Sequence, residues 1–172
     1  MEQFNLRKID YINISIVLIL IFSRLIPHPP NFTPVIAVAV LSNYFFKNIY
    51  ISLSVLFLSL FLSDLLIGLY TNMLLVYFAI FVVAVIFFKN FKLVNYKNLF
   101  FASLIGSLVF FLISNFGVWL LGSLYEKNLE GLVECYILAI PFFKNTFLST
   151  IFYTYLTFFC LDFLKKKIEL SN

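Results

Sequence analysis

The chain has 172 residues, of which 63% are hydrophobic, 20% aromatic and only 12% charged, with a net charge of +4. Soluble domains are about 45–50% apolar and about 25% charged, so this chain carries too little charge to coat a water-soluble surface. A soluble enzyme, a disordered segment and a nucleic-acid-binding domain are excluded, and the mean hydropathy of +1.03 points to a polytopic membrane protein.

A helical span needs about 20 mostly apolar residues. Arg7, Lys8 and Asp10 precede the first apolar run, Tyr11 to Ser23, which ends at Arg24. It reaches spanning length if residues 9–27 are helical, and it lacks a small-residue cleavage site, so an uncleaved first helix is expected. The break Pro27-His28-Pro29-Pro30 follows. The second run, Val35 to Phe46, is only part of a span, with Pro34 suited to a first helical turn. Ile49 to Ile67 is the third run and holds Asp64 near its end. Met73 to Phe88 is the fourth, and a basic loop, Lys89 to Asn98, comes next. The fifth run, Leu99 to Leu121, has no charge. Leu132 to Phe143 is too short to cross and is expected as an interfacial or re-entrant helix. Lys144 to Leu164 is the last span. The expected fold is therefore all-α: one integral membrane domain, residues 1–172, with about six transmembrane helices and a short helix before the last.

Six spans put both termini on one side. Arg7, Lys8, Lys47, Lys89, Lys92, Lys97, Lys165, Lys166 and Lys167 fall on that side, against Arg24, Lys127 and Lys144 on the other. The positive-inside rule makes the basic side, and both termini, cytoplasmic. The lysines then read as topology anchors and headgroup contacts rather than a nucleic-acid site. Cys135 and Cys160 match no metal or disulfide spacing and read as packing residues. Serines at helical spacing (Ser52, Ser59, Ser63; Ser103, Ser107) suit close helix packing. The row Thr146, Thr150, Thr154 suits packing or the lining of a pocket.

The outer side gathers varied polar groups at span ends, and ionisable residues at membrane depth require partners or a function. Arg24 and Asp64 are both expected about one turn inside the outer boundary. They form either a structural salt bridge or a ligand site, in which the Arg24 fork binds an anionic group and Asp64 orients it. Asn115 and Trp119 are four apart and share a helix face, which would give a pocket an amide and a stacking wall, or else an interhelical amide and a belt tryptophan. Pro27, Pro29 and Pro30 hold their segment extended. Irregular backbone at that depth must be buried or line a cavity, so a rigid loop over the outer end of the bundle is expected. His28 is the sole histidine, which argues against a zinc site. No Gly-x-Ser-x-Gly, HExxH or phosphate-binding glycine loop occurs; no enzymatic activity, metal or cofactor is expected.

Two stretches carry a resemblance. One is Arg24-Leu25-Ile26-Pro27-His28-Pro29-Pro30-Asn31-Phe32-Thr33-Pro34. The other runs from Asn115-Phe116-Gly117-Val118-Trp119 through Tyr125, Gly131-Leu132, Cys135-Tyr136 and Ala139-Ile140-Pro141-Phe142-Phe143 to Asn145-Thr146. Together they resemble an uncharacterised family of small bacterial integral membrane proteins, a resemblance that implies a place in the bacterial inner membrane. More loosely, the size and six-span layout resemble the substrate-binding subunits of energy-coupling-factor vitamin transporters. That resemblance implies a vitamin-like ligand taken from the outer face, with a coupling subunit and two ATPases as partners. Those subunits commonly carry an Ala-x-x-x-Ala docking pattern on the first span. Residues 12–22 hold no alanine, and Ala37 and Ala39 have another spacing, so the resemblance stops short of that pattern.

The expected function is solute capture from the outer face, with Arg24, Asn31, Asp64, Asn115, Trp119, Tyr136 and Asn145 as pocket residues. Arg24 would neutralise an anionic group, Trp119 would stack on a ring, and the amides would fix orientation. The alternative is a non-catalytic scaffold for an envelope complex, whose outer polar residues form a docking surface. A third class, a membrane-embedded lipid enzyme with Asp64 or Glu130 as acid or base, lacks the aspartate-rich metal motif. Convergence of Arg24, Asp64 and Asn115 on one cavity is the feature that separates solute capture from the scaffold.

Overall fold

The computed structural model describes the backbone of residues 2–46, 48–90 and 95–169, and the side chains of residues 13–46, 48–89 and 95–160. Lys47 and Lys92 lie outside the described residues, and the side chains of Arg7, Lys8, Asp10, Lys165, Lys166 and Lys167 lie outside the described side chains. All regular structure among the described residues is helical: α1 (Glu2–Leu25), α2 (Val35–Val40), α3 (Ser42–Phe45), α4 (Ile49–Ile67), α5 (Met73–Asn90), α6 (Tyr96–Leu121), α7 (Leu129–Leu138) and α8 (Ile140–Glu169). Among these residues α4 and α6 are long and apolar enough to cross a membrane, and the bent pair α7–α8 makes a third if it counts as one span.

Asparagines start three of the helices. The side chains of Asn48, Asn95 and Asn128 accept from the backbone N–H of Tyr50, Asn98 and Gly131, each at 2.8 Å. These are side-chain N-caps, which satisfy amides that a helix start leaves free. Such caps explain why α6 begins at Tyr96, three residues before the apolar run. Between α7 and α8 the chain bends by 47°. Pro141 causes this: it cannot donate to the carbonyl four residues back, and its ring crowds that turn. The short helix therefore ends at Leu138 rather than running to Phe143.

The second apolar run departs most from expectation. It forms no single helix but two pieces, α2 and α3, broken at Leu41 (φ −88°, ψ 13°) without a proline or glycine there. Val35, Ile36, Ala37, Ala39 and Val40 are all 5% exposed or less. A helix that is apolar all round belongs inside, and α2 accordingly packs against α5, α6 and α8 at the centre of the bundle. The approach of α6 is close. A Cβ at Gly106 would lie 2.6 Å from Val40 Cγ2, so only glycine fits there without a shift. Leu20, Leu56, Leu60, Ile80, Val83, Ala84 and Phe87 complete the core around α2.

Polarity is arranged against the rule for soluble proteins. Ser52, Ser59, Ser63, Ser103, Ser107, Ser149, Thr150 and Thr154 are buried between helices, while Leu18, Phe22, Phe61, Leu66, Leu74, Phe101, Phe152 and Phe159 face outward. Small polar residues at the contacts and bulky apolar residues outside are what a lipid environment selects. Cys160 is exposed on this outer surface and Cys135 is buried; both thiols are free.

The ends of the helices define the site. Arg24 closes α1 and Asp64 lies in the last turn of α4, and the two meet; α1 and α4 therefore run side by side in the same direction. Tyr155 donates to the Tyr96 carbonyl at 2.6 Å, and Phe111 meets Phe143 with ring centroids 5.1 Å apart. These contacts make α6 and α8 antiparallel. The C-terminal ends of α1, α4 and α6 and the N-terminal ends of α5 and α8 thus gather at one end of the bundle.

Candidate functional site

A cavity of about 590 Å³ opens at that end. Its size falls in the range of small-molecule pockets, about 300–1,000 Å³. Arg24, Asn31, Asn72, Ser114, Asn115 and Thr146 contribute polar groups to the lining; Ile36, Leu60, Ile80, Phe110, Val118 and Phe142 contribute apolar ones. His28 and Thr33 from the proline loop, Tyr70 from the α4–α5 turn, and Leu124 and Tyr125 from the α6–α7 loop also line it.

Arg24 anchors one wall. Its Nη2 meets Asp64 Oδ1 at 2.5 Å, and its Nη1 donates to Ser63 Oγ at 2.7 Å and to the Leu60 carbonyl at 3.3 Å. Asp64 is completely buried, and the Arg24 side chain is 15% exposed. Tyr77 on α5 donates to Asp64 Oδ2 at 2.7 Å and stacks on Phe57 of α4 at 5.9 Å. Two acceptor oxygens thus receive two donors from two other helices, which is the condition for keeping a carboxylate in a low-dielectric interior. Tyr70, from the α4–α5 turn, lines the cavity close enough to the pair to feel both charges. Burial first, and the Asp64 charge second, push its phenol up from 10.0 to about 12, against a smaller pull from Arg24.

The opposite wall is built from bonds to backbone. Trp119 Nε1 donates to the Glu126 carbonyl at 2.9 Å. Lys127 Nζ caps the end of α6 by bonding the carbonyls of Trp119 and Gly122, with its charge 5.7 Å from the Trp119 ring centroid. Tyr136 donates to the Leu112 carbonyl at 2.6 Å. Asn145 Nδ2 donates to the Pro30 carbonyl at 3.1 Å, and Ser149 Oγ to the Asn31 carbonyl at 3.3 Å. These last two bonds tie the proline loop to α8, and Phe32 packs on Phe152 and Tyr153. Asn31 adopts φ 63°, a left-handed conformation that asparagine tolerates better than most residues. The loop thus folds over the end of the bundle as its prolines predict.

Of the seven expected pocket residues, Arg24, Asn31 and Asn115 line the cavity. Asp64 stands behind Arg24 and orients it. Trp119, Tyr136 and Asn145 do not line it; they shape the α6–α7 loop, the α6–α7 contact and the proline loop. Asn115 donates to the Phe111 carbonyl at 2.8 Å, and Cys135 Sγ donates to the Asn115 carbonyl at 3.5 Å. Of the threonine row, Thr146 reaches the cavity, while Thr150 and Thr154 are fully buried. Sequence reasoning left Tyr70, Asn72, Ser114 and Tyr77 out of the pocket. The first two sit in or beside a turn at the polar end, a signal that could have found them. Tyr77 carries no local signal, because its partner Asp64 lies on another helix.

An all-helical chain with membrane-length apolar helices and a polar-lined end cavity is the class that these features define. The chain belongs to a family of unknown function (DUF6580), which matches residues 5–171. No curated protein and no solved structure matches the chain.

Proposed function

We propose that this protein binds a small solute from the outer face of a bacterial inner membrane and serves as the capture subunit of an uptake system. The observation that carries the reading is the cavity of about 590 Å³ at the end where the polar span termini gather. The reading takes six crossings with both termini cytoplasmic. α4, α6 and the bent α7–α8 pair are long and apolar enough for three, and the reading takes α1 and α5, whose apolar stretches are shorter, as two more. The sixth is the segment that holds α2 and α3, Val35 to Phe46, eleven mostly helical residues and one extended one, which reaches about 20 Å at 1.5 Å and 3.3 Å per residue. That is about two-thirds of the hydrocarbon thickness of about 30 Å. Gly-rich phosphate loops are absent from the sequence, so a partner or an ion gradient supplies the energy. Entry and release follow from movement of the proline loop and the α6–α7 loop, both of which line the cavity.

A scaffold would present its polar side chains to a partner. Trp119, Tyr136 and Asn145 instead bond to this chain's own carbonyls, and Arg24 and Asn115 meet at one cavity with Asp64 buried behind Arg24; that partial convergence is what supports the capture reading. The test is a thermal-shift screen of the detergent-solubilised protein against vitamins, nucleobases and amino acids. Val118→Trp, which fills the cavity without touching Arg24, is the control. A ligand at 100 times its Kd adds about 2.7 kcal/mol to a folded state that alone binds it. A shift abolished by Val118→Trp supports the reading; cooperative melting with no shift across the panel overturns it.

A further inference from the structure

We infer that the ligand of this cavity is an uncharged, ring-bearing molecule with amide-like polar groups, rather than an anion. The inference rests on the solute-binding reading above and names its substrate class. Taken alone, Arg24 invites an anion. In the folded chain its charge is already answered: Asp64 holds it at 2.5 Å and is itself wholly buried. Ser63 and the Leu60 carbonyl take further guanidinium donors.

A carboxylate brought to the free edge of Arg24 would join a pair that is neutral as a whole. The resulting Asp–Arg–carboxylate group would carry one net negative charge in a mostly apolar pocket, with two like charges on one cation. An ammonium group fares no better. Among the described residues that line the cavity there is no carboxylate to pair with it, and the neutral Arg24–Asp64 pair offers it no net attraction. His28 also lines the cavity, but it is exposed to water.

What remains is neutral hydrogen-bonding capacity. Asn31, Asn72 and Asn115 offer amides, each able to donate and to accept. Ser114, Thr33 and Thr146 add hydroxyls. Aromatic side chains stand in the same lining, at Tyr70, Phe110, Tyr125 and Phe142, and a flat ring is the ligand shape that such side chains hold best. Asp64 is then a positioning residue: it fixes Arg24 as a neutral-paired donor and sets the charge preference of the site.

The experiment compares ligands that differ only in charge. One series is nicotinamide, nicotinate and 3-(aminomethyl)pyridine; the other is indole-3-acetamide, indole-3-acetate and tryptamine. Affinities are measured by calorimetry or thermal shift on the full chain in detergent at pH 7. The neutral member of a series is expected to bind about tenfold tighter or more than its charged counterparts, equivalent to about 1.4 kcal/mol. In Asp64→Asn, which keeps a hydrogen-bonding group beside Arg24 and Tyr77, preference should move to the carboxylate. Asn72→Lys, which adds a cation to the lining and leaves the pair intact, should do the same and serves if Asp64→Asn does not fold.

Preference of the wild-type protein for a carboxylate or an amine overturns the inference and leaves the binding reading standing. A neutral preference that persists in both variants shows that charge balance does not set selectivity, and also overturns it. Binding by no member of either series, while another compound of the wider screen binds, overturns the inference and leaves the binding reading standing.

Discussion

On the α1–α4 side of the cavity, Arg24 and Asp64 answer each other side chain to side chain at 2.5 Å, and Tyr77 closes the cluster from α5. On the α6–α8 side, Trp119, Tyr136, Asn145 and Ser149 donate to main-chain carbonyls. The first arrangement fixes the electrostatics of the site and ties together three helices. The second fixes the shape of the two loops that cover it. A buried ion pair fails abruptly when one member is lost, because the survivor keeps its desolvation cost. A lost side-chain bond to an exposed loop carbonyl leaves a group that water can satisfy, so that wall should yield gradually.

The sharpest test of this contrast is Asp64→Ala. It leaves the Arg24 guanidinium without its counterion and should cost about 3–5 kcal/mol, seen as a large fall in Tm in detergent. The double change Arg24→Met with Asp64→Leu should recover most of that loss, since apolar replacement of both partners is often neutral or better. If the double variant is as unstable as the single one, the pair does not act as a unit.

Gly131→Ala probes the opposite wall. The new Cβ would lie 2.2 Å from the Glu126 carbonyl oxygen, an overlap that backbone must relieve. A loss of about 1–3 kcal/mol is expected, together with altered Trp119 fluorescence as its bond to the same carbonyl breaks. Unchanged fluorescence would separate the tryptophan from the loop. Asn145→Ala with Ser149→Ala removes both hydrogen bonds between the proline loop and α8 and leaves the packing of Phe32. About 1 kcal/mol per bond is at stake, and hydrogen exchange of residues 28–33 should quicken while the core stays protected.

The smallest effect concerns pH. The Tyr70 phenol is raised from 10.0 to about 12, so the folded state holds its proton more tightly than the unfolded chain. That contribution is fully present below pH 10 and is lost as pH rises toward 12. Stability should therefore fall across this window, and Tyr70→Phe should flatten the slope. An identical slope in both proteins would assign the fall to other groups.

Much of the helix layout was legible along the chain. Charges and polar turns bracket the apolar runs, and α4 spans the same residues as its run, Ile49–Ile67. The proline loop was legible because proline restricts backbone locally. The pairing of Arg24 with Asp64 was one of two readings the sequence offered, and packing selected it. The pocket was less legible. Asn115 and Trp119 share a face by spacing, yet only Asn115 lines the cavity; the indole is drawn to a carbonyl seven residues on. The split of the second run into α2 and α3 has no proline or glycine behind it and arises from burial in a bundle that the local sequence does not describe.

Composition alone determined that the chain is a helical protein for an apolar environment, because too few charges exist to cover a surface facing water. Local sequence determined the turns, the caps and the bend before α8, because asparagine, glycine and proline act within a few residues. Only the tertiary structure decided which polar side chains face the cavity and which are bound to backbone. It also decided that Arg24 is neutralised by Asp64. Both outcomes depend on distances between residues 40 positions apart, as between Arg24 and Asp64, and helix packing sets those distances.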